Sequence, residues 1–123
     1  MMKSLTILIV DDSAAMRSLL VSTLETLGNL AIVQAPNGFE ALRMLPREQV
    51  DLILTDINMP DINGLELLSF IRNNPIYKDV PVVVISTEGS RKDIEKGLSL
   101  GANEYLVKPF QPEQLLEIVK RFL

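Results

Sequence analysis

The 123-residue chain has no cysteine, no histidine and no tryptophan. Without cysteine there is no disulfide, no zinc–thiolate centre and no thiol nucleophile. Without histidine the commonest general base near neutral pH and the commonest metal-binding nitrogen are missing too. Aromatic residues make up only 5% of the chain, too few for a base-stacking platform. Twelve Lys and Arg against sixteen Asp and Glu leave a net charge of −4, which disfavours direct contact with nucleic-acid phosphates. The longest apolar runs, LTILIV and VPVVVI, fall far short of the roughly 20 residues that span a bilayer. The start, MMKSLTILIVDD, meets two acids before any cleavable-looking segment. These absences describe a cytoplasmic chain with no membrane insertion, whose chemistry must rest on carboxylates, hydroxyls and lysines.

What is present is a core-forming composition, 47% hydrophobic, at the usual size of one domain. Five short apolar runs occur at Leu5–Val10, Leu30–Gln34, Val50–Thr55, Val80–Ile85 and Glu104–Val107. Most are continuous rather than alternating, the pattern of strands buried on both faces of a parallel sheet. Between them lie stripes of helical spacing. Met16, Leu19, Leu20, Leu24 and Leu27 form one, closed by Gly28, and Phe39, Leu42 and Leu45 form another before Pro46. A third helix follows Gly64 with Leu67, Leu68 and Ile71 inward and ends at Asn73-Asn74-Pro75, and the last begins at Pro112 with Leu115, Leu116, Val119 and Phe122. The segment Ser90–Leu100 offers chiefly Ile94 and Leu98, and its Gly97 costs about 1 kcal/mol relative to alanine, so it should be the least firmly packed helix. The alternation predicts an α/β fold: an open parallel sheet, five times strand then helix, with right-handed crossovers and helices on both faces.

Ligands of such sheets bind beyond the carboxyl ends of the strands. Four of those ends carry polar chemistry: Asp11-Asp12, Asp56, Ser86-Thr87 and Lys108-Pro109. Three carboxylates at one rim repel one another unless a cation neutralises them. Oxygen donors alone favour Mg²⁺, with Mn²⁺ as the alternative, over zinc. Lys108 suits a phosphoryl oxygen, and the Ser86 hydroxyl can donate to another. Asp56 is then a nucleophile able to accept a phosphoryl group as an acyl phosphate. Each residue alone also has a plainer reading, as helix cap, turn residue or solvated charge; their joint placement carries the argument. Met59 reads as core or loop filler. The stretch DINMPDING fails as a calcium loop, because Gly64 at the sixth position puts Met59 first and Phe70 twelfth. Neither a G-x-x-x-x-G-K-[ST] loop nor a G-x-G-x-x-G fingerprint is present.

The segments ILIVDDSAAMR, DLILTDINMPDINGLELL, PVVVIST and GANEYLVKPF, in this order from Thr6 to Phe110, resemble the successive motifs of a response-regulator receiver domain. Over its whole length the chain is similar to the single-domain, chemotaxis-type (CheY-like) members. The resemblance implies a flavodoxin-like five-stranded sheet of order 2-1-3-4-5 and one receiver domain over residues 1–123 with no output domain. It implies a switch of a two-component system, phosphorylated on Asp56 by a sensor histidine kinase and catalysing only its own phosphoryl transfer and autodephosphorylation. Asp12 and Asp56 would bind Mg²⁺ directly, Asp11 through water and Asn58 through its backbone carbonyl. Ser86 falls on the switch hydroxyl, Tyr105 on the switch aromatic, and Lys108 on the salt-bridging lysine, with a cis peptide to Pro109. Asn58 and Glu88 fall on positions that tune dephosphorylation, and they resemble the pair of short-lived chemotaxis regulators. Thr87 stands where many relatives have Ala or Gly. On phosphorylation Ser86 would draw the Glu88–Ser90 loop inward and vacate space for Tyr105. The signal would leave through the fourth helix, fifth strand and last helix to a downstream target, with a phosphatase as a further partner.

Two other readings stay open at this point. A metal-dependent aspartyl-phosphate phosphatase, like haloacid-dehalogenase enzymes, would need a second acid where Asn58 stands. A phosphorylation-independent interaction module would have no need of the complete residue set.

Overall fold

The computed structural model describes residues 4–123. Residues 1–3, which the expected domain span and the leader-free amino terminus include, lie outside the described residues. The chain runs β1 (Leu5–Val10), α1 (Ala14–Glu25), β2 (Leu30–Ala35), α2 (Gly38–Met44), β3 (Leu52–Thr55), α3 (Gly64–Asn73), β4 (Val82–Ser86), α4 (Arg91–Ser99), β5 (Glu104–Val107) and α5 (Pro112–Lys120). All strand pairs are parallel and the sheet order is β2-β1-β3-β4-β5, as the resemblance implied. Among the described residues no helix is long and apolar enough to cross a membrane.

The continuous apolar runs have the predicted cause in the three inner strands. Every residue of β3 and β4 is buried, as are the last four of β1, whereas the edge strands β2 and β5 are partly open. Alternate side chains feed two cores. Ile7, Ile9, Leu52, Leu54, Val83 and Ile85 meet Leu20 and Leu24 of α1 and Leu115, Ile118 and Val119 of α5. Leu8, Val10, Ile53, Val82 and Val84 meet Ala41 of α2 and Leu67, Leu68 and Ile71 of α3. Each fully buried Leu, Ile or Val contributes about 1.5–3 kcal/mol, so the inner strands are the rigid part of the molecule. Met59 sits in the second of these cores.

Three helix faces differ from the periodic reading. Leu19, Phe39 and Leu98 were expected inward and are 45%, 55% and 44% exposed. On α1 the third inward position of the stripe goes to Thr23, whose hydroxyl is satisfied by donating to the Leu19 carbonyl. Helix α2 docks through Gly38 and Ala41, and a Cβ on Gly38 would lie 2.7 Å from Ile62 Cβ; that close approach turns Phe39 outward. On α4 the buried residue is Gly97 rather than Leu98. Strand limits also shift. β4 starts at Val82, after Pro81, which has no N–H to give, and it runs on to Ser86 because the Ser86 carbonyl accepts from Lys108 N at 2.8 Å.

Candidate functional site

The register sets the rim. Val10 pairs with Thr55, so Asp11 and Asp56 step off neighbouring strands at the same level, where the strand order reverses. Their backbones are tied in: Asp56 N donates to Val10 O at 2.9 Å and Asp11 N to Ala35 O at 3.2 Å. The side chains are nearly covered, 11% exposed for Asp56 and 2% for Asp11. Helix α3 starts directly on this point. A Cβ on Gly64 would lie 1.9 Å from the Asp56 carbonyl oxygen, and Asn63 caps the helix in a reciprocal box with Glu66.

Lys108, just past β5, reaches into the rim. Its Nζ lies 3.0 Å from Asp11 Oδ2 and 3.5 Å from Asp56 Oδ2, and its side chain is itself 11% exposed. Asp11 Oδ1 accepts from Ser13 N and Asp56 Oδ1 from Ile57 N, both at 2.8 Å. Exposed Asp12 completes a set of three carboxylates, one oxygen of each lying within 4.8 Å of the others. Three acids against one ammonium leave two formal negative charges at a half-enclosed rim. Burial pushes the Asp56 carboxyl above its ordinary value; Lys108 and the Ile57 N–H pull it down and Asp11 pushes it up, without reversing that direction. An all-oxygen, dianionic cradle suits a hard divalent cation.

A second group adjoins the first. Ser86, fully buried at the end of β4, accepts at its Oγ from Glu88 N at 3.1 Å. The Tyr105 hydroxyl donates to the Glu88 carbonyl at 2.5 Å. One loop residue is thus gripped at both its N–H and its carbonyl. Burial pushes the Tyr105 phenol upward, against the opposing effect of the Ser86 hydroxyl. The Tyr105 ring lies beside Gly97 of α4 while Ser86 Oγ accepts from Glu88 N. The Lys108–Pro109 peptide is cis. Asn58 and Thr87 are exposed in the loops after β3 and β4, with Glu88 partly covered.

Sequence reading passed over Arg17. From α1 it donates through Nη1 to the Asp11 carbonyl at 2.6 Å and through Nε to Gln34 Oε1 at 3.3 Å, bracing the acidic turn from outside. The only available signal was a lone basic residue in the helix that follows Asp11-Asp12.

Residues 7–120 match the family described as the response regulator receiver domain. The chain is 41% identical over 112 residues to the "Chemotaxis protein CheY homolog" of Campylobacter jejuni, covering 90% of this chain and 86% of that one. Against "Chemotaxis protein CheY1" of Helicobacter pylori the identity is 38% over 112 residues, covering 90% of each. The solved structure of the Vibrio cholerae chemotaxis protein CheY4 superposes with a TM-score of 0.88 at 36% identity, covering 97% of this chain and 98% of that one. The matched stretch takes in the acidic turn, the Asp56 loop and the Lys108 turn alike, so likeness in sequence and likeness in fold fall on the same residues, and the chain belongs to the response regulator receiver domain family.

Proposed function

We propose that this chain is a phosphorylation-activated switch of a two-component system, with Asp56 as the phosphoacceptor. The observation that carries the reading is Lys108 Nζ, held 3.0 Å from Asp11 and 3.5 Å from Asp56 within a three-carboxylate rim. Asp56 Oδ attacks phosphorus, the bond to the donor's histidine nitrogen breaks, and that nitrogen keeps the electron pair and takes a proton. Lys108 is within reach of charge that develops on the phosphoryl oxygens, and Ser86 Oγ can exchange its bond to Glu88 for one of those oxygens. Asp11, Asp12 and Asp56, with the Asn58 backbone carbonyl, are the groups that would hold Mg²⁺, Mn²⁺ being the alternative. When bound, the ion neutralises charge between carboxylates and phosphoryl group.

The phosphoryl group adds about −1.5 to −2 charges beside Ser86 and Lys108. Release of Glu88 N–H by Ser86 then alters the loop leading into α4, and the α4–β5–α5 face carries the signal to a target protein. Asn58 and Glu88 flank the site and tune hydrolysis. They favour a short-lived phosphoform, and a form stable for many hours would count against that assignment. A chemotaxis pathway is supported by the chemotaxis proteins among the relatives, and a sensor histidine kinase as donor and cytoplasmic residence go with the receiver-domain family.

Intact mass after incubation with acetyl phosphate and Mg²⁺ tests the reading. The wild type should gain one phosphoryl group, while Asp56→Asn and wild type in EDTA should gain none. Equal gain by the variant would overturn the assignment of Asp56. Repeated release of phosphate from small phosphoesters would favour an enzyme instead.

A further inference from the structure

We propose that Gly97 is a positioning residue: by lacking a side chain it seats the Tyr105 ring, and through that ring it sets how firmly Glu88 is held beside Ser86. The inference deepens the switch reading above and rests on it for its signalling meaning.

Three observations meet at this contact. Gly97 is the buried residue of α4, in a helix interior where glycine costs about 1 kcal/mol relative to alanine. A Cβ built there lies 3.0 Å from both Cδ2 and Cε2 of Tyr105, closer than ordinary van der Waals contact. The ring cannot simply recede, since its hydroxyl is bonded to the Glu88 carbonyl at 2.5 Å and its body packs on the α3-side core. The loop it holds is itself pressed onto β5: a Cβ on Gly89 would lie 2.7 Å from Val107 Cγ1. The contacts therefore run Gly97, Tyr105, Glu88, Ser86 without a gap, from the middle of α4 to the end of β4.

A methyl at 97 would press the ring aside by a few tenths of an ångström, and the ring carries that shift to its hydroxyl bond with Glu88. Gly97→Ala should thus free the Glu88 carbonyl and turn Tyr105 toward solvent even in unphosphorylated protein. A glycine present only to loosen α4 makes the opposite prediction, because alanine would strengthen the helix and leave the ring where it is.

The chain has two tyrosines, Tyr77 and Tyr105, so 3-fluorotyrosine labelling gives two ¹⁹F resonances. In Gly97→Ala the Tyr105 resonance should move toward that of free fluorotyrosine with a larger solvent isotope shift, while Tyr77 stays in place and reports an intact fold. Exposed Ser99, substituted to Ala, raises helix propensity without touching the ring and should move neither. As a second measurement, Gly97→Ala should lower the urea midpoint when residue 105 is Tyr and raise it in a Tyr105→Leu background. An unmoved Tyr105 resonance in Gly97→Ala, or a raised midpoint in both backgrounds, overturns the proposal. No phosphodonor is needed, so loss of the phosphoacceptor reading and loss of this one are separate results.

Discussion

Burial pushes the Asp56 carboxyl above its ordinary value of 3.8, and neither Lys108 nor the Ile57 N–H brings it back. Below 3.8 the group is neutral in the folded and unfolded chain alike, and it costs nothing. As pH rises through the raised value, the folded state resists ionisation, and at neutral pH it carries the full penalty. Asn at position 56 removes the charge and keeps an oxygen for the Ile57 N–H, so the site trades stability for reactivity. In EDTA at pH 7, Asp56→Asn should be more stable than wild type by about 1 kcal/mol in urea unfolding, and the advantage should shrink as pH falls toward 3.8. An advantage independent of pH would contradict the assignment. Asp11, Asp12, Asp56, Ser86 and Lys108 were visible in the sequence because each interrupts or follows an apolar run at a strand end. Arg17 was not, because it works through a backbone carbonyl, and Gly97 was visible only as a weak point of its helix, since a residue without a side chain gives no sign of what packs against it.

Among the elements, α4 stands apart. Its buried residue is a glycine, whereas α3 buries Gly64, Leu67, Leu68 and Ile71 and α5 buries Leu115, Ile118 and Val119. Amide exchange should be fastest in α4 among the five helices, and equal protection of α3 and α4 would be the contrary result. The weak apolar pattern of Ser90–Leu100 made this legible in advance. The faces of α1 and α2 were less so, because periodicity cannot tell which of two adjacent apolar residues loses its place to a Thr, Gly or Ala that allows closer approach. What holds the base of α3 and β4 was equally hidden. Arg72 donates to the carbonyls of Gly101 at 3.0 Å, Lys78 at 3.0 Å and Val80 at 2.7 Å and to Asn103 Oδ1 at 2.8 Å, with Asn103 in turn accepting from Val82 N. All these partners are uncharged acceptors scattered over loops, which no sequence spacing reveals. Arg72→Ala should lose about 2–3 kcal/mol in urea unfolding, while phosphoryl uptake at the opposite rim persists.

At the scale of the whole molecule, the parallel sheet turns separate strand ends into one chemical surface. The order β2-β1-β3-β4-β5 puts β1 and β3 side by side, and with them the acidic turn and Asp56. β5 lies two places from β3 and three from β1, yet Lys108 spans the gap to reach both Asp11 and Asp56. That topology was legible because continuous apolar runs alternate with helical stripes along the entire chain; the distances within the rim were not, since they depend on register and on the close seat of Gly64 against Asp56. The central claim is that this rim exists to make Asp56 the acceptor of a phosphoryl group. Borohydride reduces an aspartyl phosphate to homoserine, so peptide mapping after treatment with acetyl phosphate, Mg²⁺ and borohydride reads the acceptor directly. Homoserine at position 56 alone, dependent on Mg²⁺, is the predicted result; homoserine at another acid, or none at position 56 despite phosphoryl uptake, would contradict it.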